Sequence, residues 1–100
     1  MNSILQTEKE CFICRLKYNE HNPRVEEHHI YEGTANRSIS EKNGFKVWLC
    51  YPHHNDPSHG VHHIEELNDW LKAICQKKYE ETHSRQDFMD LIGRNYDTES

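Results

Sequence analysis

Two pairs of potential metal ligands constrain the fold of this 100-residue chain most strongly. Cys11 and Cys14 are separated by two residues, and Cys50 and His53 repeat that spacing later in the chain. Thiolate and imidazole donors in two such pairs match the tetrahedral ligation of structural zinc. A redox role for the first pair would need a βαβ context, which the sequence lacks. The spacing therefore predicts one zinc site on these four residues.

The apolar content supports a metal-stabilised fold. Apolar residues make up 34% of the sequence, so the hydrophobic core is small and a metal cross-link would stabilise it. The length predicts a single domain over residues 1–100. Four cysteines without a recognisable secretion signal favour metal ligands or free thiols over disulfides. We expect a cytoplasmic protein with no membrane span, and we expect Cys75 to lie in the core.

The distribution of charge matters more than its sum. A net charge of −5 argues at first against a nucleic-acid partner. Residues 64–100, however, hold nine acidic and five basic residues, whereas residues 34–63 hold two acidic and three basic ones. The middle of the chain is therefore slightly positive, and a bound divalent ion would make it more so.

The pattern of apolar residues predicts an α+β fold. Residues 25–31 read as a strand, residues 33–44 as a loop, and the alternation that begins at Phe45 as a second strand, antiparallel to the first. Residues 15–24 read as polar and turn-forming. Apolar residues at helical spacing predict a helix from Ile64 to about Glu81. A second helix begins near Ser84, with a capping box, and stops at Gly93.

Histidines are concentrated at the ends of the two predicted strands. Five of the nine lie in residues 49–63. Adjacent residues cannot easily share one tetrahedral ion, so His54 remains free if His53 binds zinc. His28 and His29 point to opposite faces of a strand, so one can bind a metal while the other reaches a substrate. A hydrolytic metal site needs this combination of ligands and a base.

These residues resemble a known family. The motif "EEHHI", a glycine-containing loop, a strand ending in "LC" and the following "HHN" are similar to the HNH, or ββα-metal, nucleases. They resemble in particular the small zinc-knuckle versions in phages and mobile elements, and "GTANR", "NGF" and "GVH" suggest a phage-type subgroup that extends through the C-terminal helices. The resemblance implies a zinc knuckle and ββα core at about residues 8–63, followed by two helices at about residues 64–93. It also implies a phage-type enzyme of the bacterial cytoplasm that hydrolyses phosphodiester bonds in DNA.

The resemblance also assigns roles to the histidines. His28 and His54 would bind a catalytic divalent cation, His29 would be the general base, and His62 would be a third ligand or a phosphate contact. A one-residue slip of the strand would exchange the roles of His28 and His29. With imidazole ligands, the catalytic ion could be Mg²⁺, Mn²⁺, Ni²⁺ or Zn²⁺.

One position departs from the family pattern. The middle asparagine, which orients the base, corresponds to Phe45 in this chain. Asn43, Asn55 or a backbone carbonyl would then take its role. Arg37, beside "GTAN", suits a contact to a DNA phosphate.

Two other functions remain open at this level. The first is a non-catalytic, treble-clef-like zinc module that recognises nucleic acid or a protein. The second is a phage regulator of a host enzyme, which would bind its protein partner through the acidic C-terminal helices. The missing middle asparagine and the acidic charge favour the first of these alternatives.

Overall fold

An antiparallel hairpin forms the sheet of this α+β fold, in a computed structural model that describes residues 2–97. Strand β1 is Val25–His29 and strand β2 is Lys46–Cys50. The register pairs His28 with Val47 and His29 with Lys46. Both predicted strands and their antiparallel pairing are confirmed, although β1 ends two residues earlier than predicted. Ile30 and Tyr31 instead leave the sheet and enter the core.

Five helices surround the hairpin within residues 2–97. They are α1 (Phe12–Tyr18), α2 (Thr34–Asn43), α3 (Tyr51–Asn55), α4 (Glu65–Tyr79) and α5 (Arg85–Ile92). The two C-terminal helices are confirmed. Ser84 and Asp87 form the predicted capping box of α5, and Gly93 ends that helix in the left-handed conformation. None of the helices within the described residues 2–97 combines the length and the apolar character needed to cross a membrane.

The prediction of a loop over residues 33–44 is wrong, because this segment contains helix α2. The helix follows Gly33, which has a φ of 97° and supplies no side-chain cap. The helix ends at Asn43, and Gly44 caps it in the left-handed conformation with a φ of 73°. Residues 15–18, predicted as turn-forming, likewise belong to α1.

The strand register separates the two adjacent histidines of β1. Residues directly opposite each other on paired strands share a face of the sheet. His28 therefore shares a face with Val47, and both side chains are buried, at 2% and 1% exposure. His29 lies on the other face, beside its cross-strand partner Lys46.

An aromatic cluster joins the hairpin to the C-terminal helices. The Tyr31 ring packs edge-on against Phe45 and Phe88, with centroids 5.4 and 5.5 Å apart. Phe45 also meets Tyr79 of α4 at 5.3 Å. The Tyr31 hydroxyl donates a 2.6 Å hydrogen bond to the carbonyl of Lys72, which satisfies this buried polar group. The hairpin is thereby fixed against α4 and α5.

Ser40 connects helix α2 to the end of β1. Its side chain is fully buried, and its hydroxyl donates to the carbonyl of Tyr31 at 3.1 Å. The same oxygen accepts a hydrogen bond from the amide of Tyr31 at 3.3 Å. One hydroxyl therefore satisfies both backbone groups of a buried residue that has left the sheet.

Replacement of Ser40 by alanine should show how much these two hydrogen bonds contribute to the stability of the fold. In Ser40→Ala, both backbone groups of Tyr31 lose their partner inside the core. We expect the free energy of unfolding to fall by about 2 kcal/mol, measured by urea denaturation. Ser38→Ala, at an exposed position of the same helix, is the matched control. Equal stabilities of the two variants would contradict this account.

Candidate functional site

The four residues of the predicted zinc site lie together. Sγ of Cys14 is 3.8 Å from Sγ of Cys50, and Nδ1 of His53 lies 3.6, 3.5 and 3.2 Å from the sulfurs of Cys11, Cys14 and Cys50. Ordinary zinc–ligand bond lengths in a tetrahedron require sulfur–sulfur separations of about 3.8 Å and sulfur–nitrogen separations of about 3.6 Å. The cluster could therefore hold a metal ion such as zinc.

Local structure explains how the two pairs of ligands form. Cys11 is the N-cap of α1, and its sulfur accepts a hydrogen bond from the amide of Cys14 at 3.4 Å. Strand β2 ends at Cys50 and α3 begins at the next residue, so Cys50 and His53 lie about one helical turn apart on the same side. Each pair thus uses the start of a short helix to turn both donors inward.

Burial makes two of these thiols, Cys14 and Cys50, poor anions without a cation. It raises the pKa of Cys14 to about 12 and also raises the pKa of Cys50. Metal binding would reverse this effect, because a coordinated thiol loses its proton. Cys75 lies apart in the core with no exposed surface, as predicted, and burial raises its pKa to about 12 as well.

A second group of ligands converges on the other side of α3. His28, His54 and His62 bring their ring nitrogens within 4.8 Å of one another. Nε2 of His54 and Nε2 of His62 are only 2.9 Å apart. The three rings border a cavity of about 520 Å³, which is also lined by Glu27, His29, Glu32, Gly33, Thr34 and Arg37. The structure therefore brings the three predicted ligands of the catalytic ion into one cavity.

The backbone delivers each of these histidines from a different element. His28 comes from β1, while His54 follows His53 on α3 and is rotated from it by about 100° around the helix axis. His62 arrives because the next loop folds back, with the amide of Val61 donating to the carbonyl of His53 at 2.8 Å. Gly60 permits this approach, since a Cβ atom there would lie 2.8 Å from backbone atoms of Asp56.

The contacts of the cluster leave a lone pair on Nε2 of His54 and an unpartnered nitrogen on His28. Nδ1 of His54 donates to Oε1 of Glu26 at 3.0 Å, so the Nε2 atom of a neutral ring carries the lone pair. Nε2 of His28 is buried and has no hydrogen-bond partner within residues 2–97. Burial, together with His54 and His62, lowers the pKa of His28 to about 3. Burial also lowers the pKa of His62. An imidazole with a free lone pair is a suitable ligand for a divalent cation, and a carboxylate such as Glu26 on its other nitrogen orients the ring.

His29 borders the same cavity but has different neighbours. Its Nε2 atom lies 2.8 Å from Oε2 of Glu41 and 3.5 Å from Oε1 of Glu27. Glu41 belongs to α2, so the prediction of a loop in this segment gave no reason to select it. Glu26, whose carboxylate contacts His54, could have been selected from the sequence only because it lies two residues before His28 in the motif "EEHHI".

The remaining predicted residues have contacts of their own. Arg37 is exposed, lies in the first part of α2 rather than in a loop, and borders the cavity. The amide of Asn43 donates to the carbonyl of Ile39 at 2.9 Å, and that of Asn55 donates to Oε1 of Glu26 at 3.2 Å. These bonds engage both side-chain amides away from His29, the ring that one of them is predicted to orient.

Comparison with known proteins assigns no family. The chain matches no protein-family model, and the comparisons with curated proteins and with solved structures give no significant match. The chemistry of the two ligand clusters is therefore the basis for assigning a function.

The first cluster predicts a metal-dependent fold. We expect about one tightly bound zinc ion per chain, and we expect a strong chelator to unfold the domain because binding energy is folding energy. Cys14→Ala should lose the ion and most of its cooperative thermal transition. Cys75→Ala removes a buried thiol outside the cluster and should keep the ion. Elemental analysis and thermal denaturation give the answer, and a fully stable, metal-free Cys14→Ala variant would refute the assignment.

Proposed function

We propose that this chain is a metal-dependent endonuclease of the HNH type that hydrolyses phosphodiester bonds in DNA. One observation carries the proposal: three imidazoles, one with a buried and unpartnered nitrogen, converge beside a fourth imidazole in an open cavity. Three nitrogen ligands hold a cation while leaving positions for water and substrate. The fourth ring is then available as a base.

In this proposal His28, His54 and His62 hold the catalytic cation through ring nitrogens. When bound, that ion supplies positive charge for the phosphate and for the departing 3′ oxygen. An imidazole ligand set accepts Mn²⁺, Ni²⁺ or Zn²⁺ more readily than Mg²⁺, which prefers oxygen ligands. The separate Cys11, Cys14, Cys50 and His53 cluster holds the structural zinc.

His29 acts as the general base. It takes a proton from a water molecule, whose oxygen attacks the phosphorus as the bond to the 3′ oxygen breaks. The leaving oxygen takes up a proton from solvent, and the products carry a 5′ phosphate and a 3′ hydroxyl. His29 is suited to this step because it borders the cavity without belonging to the cluster of three ligands.

Arg37 supplies a positive side chain for the DNA backbone. It is exposed at the same cavity, and phosphate contacts from arginine position a protein on DNA without reading the sequence. The carboxylates of Glu27 and Glu32 also border the cavity and oppose the approach of a polyanion. A bound cation offsets part of this negative charge.

A non-catalytic role is the second candidate. The net charge of −5 and the two cavity carboxylates favour a zinc module that binds a protein partner rather than DNA. Helices α4 and α5, in the acidic part of the chain, would then form the contact surface. Cleavage assays separate the two candidates, because only the nuclease depends on the histidines of the cavity.

Histidine substitutions should separate the base from the ligands. His29→Ala deletes proton transfer but leaves the ion, so we expect the cleavage rate to fall by roughly 10²-fold to 10⁴-fold with unchanged affinity for the second metal. His54→Ala and His28→Ala should weaken that affinity, and high metal concentration should restore part of the activity. Calorimetric titration of Mn²⁺ measures the metal affinity, and plasmid cleavage assays measure the rate.

The controls for this experiment lie in the same chain. His63→Ala removes an exposed neighbour of His62 and should change neither quantity. Loss of the metal in His29→Ala but not in His28→Ala would exchange the two roles. If all of these variants behave like the wild type, the nuclease proposal fails.

DNA binding should be modest and sensitive to salt, because each phosphate contact releases counterions. Arg37→Ala should weaken binding of a short duplex and lower the salt dependence without changing thermal stability. Lys42→Ala, which removes the same charge at the far end of α2, is the control. Fluorescence anisotropy at several salt concentrations measures this, and binding that stays flat as salt rises would favour the protein-binding alternative.

A further inference from the structure

His29, the proposed base, makes a short contact with the carboxylate of Glu41. Oε2 of Glu41 lies 2.8 Å from Nε2 of His29, within the range of a strong hydrogen bond. Glu41 reaches His29 from α2, whereas His29 belongs to β1. The contact therefore depends on the tertiary fold and not on neighbouring positions in the chain.

Lys46 holds this carboxylate from the other side. Its Nζ atom lies 3.0 Å from both carboxylate oxygens of Glu41 and 3.4 Å from Oε2 of Glu27. Lys46 is the cross-strand partner of His29, and only 12% of its side chain is exposed. The hydrogen bonds from His29 and Lys46 lower the pKa of Glu41 to about 2, so the carboxylate is ionised at neutral pH.

The ionised carboxylate determines which nitrogen of His29 carries the proton. A carboxylate without a proton can only accept hydrogen bonds, so Nε2 of His29 must be the donor. In the neutral ring the lone pair then lies on Nδ1. A base needs this property, because one defined nitrogen must be free to receive the proton of water.

We propose that Glu41 is the positioning residue of the hydrolysis: it holds the His29 ring through Nε2, leaves Nδ1 to accept the proton, and stabilises the imidazolium that results. The inference rests on the proposed function. It gives to a glutamate on α2 the role that the sequence predicts for Asn43, Asn55 or a backbone carbonyl. The arrangement resembles the carboxylate that orients a catalytic histidine in other hydrolases.

A metal ion is the alternative occupant of this place. Glu27, His29 and Glu41 lie close enough together to offer ligands to a cation. The ammonium group of Lys46, however, already contacts the carboxylates of Glu27 and Glu41 and balances part of their negative charge. A further cation would have to displace or closely approach that ammonium group, which like-charge repulsion opposes.

The test is a double-mutant cycle on Glu41 and His29. Glu41→Gln should lower kcat for plasmid cleavage by about 10-fold to 100-fold, with KM and Mn²⁺ affinity unchanged. In the His29→Ala background the same substitution should change the rate by less than about 2-fold, because the positioned group is absent. Glu41→Asp keeps the charge and should recover part of the loss. Glu65→Gln, an exposed position on α4, is the control for the loss of one charge.

Each other outcome has a defined meaning. Equal losses in the two backgrounds would show a purely structural role for Glu41 and overturn the inference while leaving the nuclease proposal intact. A loss of Mn²⁺ affinity in Glu41→Gln would make Glu41 a ligand and also overturn it. A wild-type protein that cleaves no DNA would overturn the proposed function and, with it, a catalytic role for Glu41. The Nε2–H signal of His29 in nitrogen-15 NMR, present in the wild type and lost in Glu41→Ala, tests the pairing independently of cleavage.

Discussion

The placement of three thiols and one imidazole within ligand distance is the constraint on which the rest of the structure depends. Buried sulfur atoms gain little from one another when they are protonated, and as thiolates they repel. A cation at their centre would convert this unfavourable arrangement into a cross-link between α1, the end of β2 and the start of α3. Such a cross-link would add to the packing of Cys11, Ile13 and Cys14 within one small apolar core.

The short helix α3 connects the cysteine cluster to the histidine cavity, because it contributes one residue to each. His53 and His54 are adjacent, and the rotation of the helix sends one ring to the cysteine cluster and the other towards β1. The returning loop then uses backbone groups of the same helix to place His62. A single turn of helix thus contributes to two ligand sets, and the strand register supplies the buried His28 that completes the second set.

Strong local patterns predicted much of this organisation from the sequence. Ligand spacing identified the four residues of the cysteine cluster, alternation identified the hairpin, and apolar periodicity with a capping box identified α4 and α5. Helix α2 was missed because most of its residues are polar and its first residue follows an uncapped glycine. Glu41 was missed for the same reason, since its contact with His29 exists only once α2 packs beside the sheet. Intrinsic preferences cannot reveal such a contact, because tertiary packing decides it.

The sharing of α3 by two ligand sets has a thermodynamic consequence. A helix of five residues is too short to be stable alone, so its order depends on what binds it. An ion held by Cys50 and His53 would bear the entropy cost of fixing the helix, and an ion beside His54 would then bind at lower cost. Linkage requires the converse as well: occupancy of the histidine set would strengthen the cysteine set by the same factor. The two sites would behave as a positively cooperative pair without any contact between their ions.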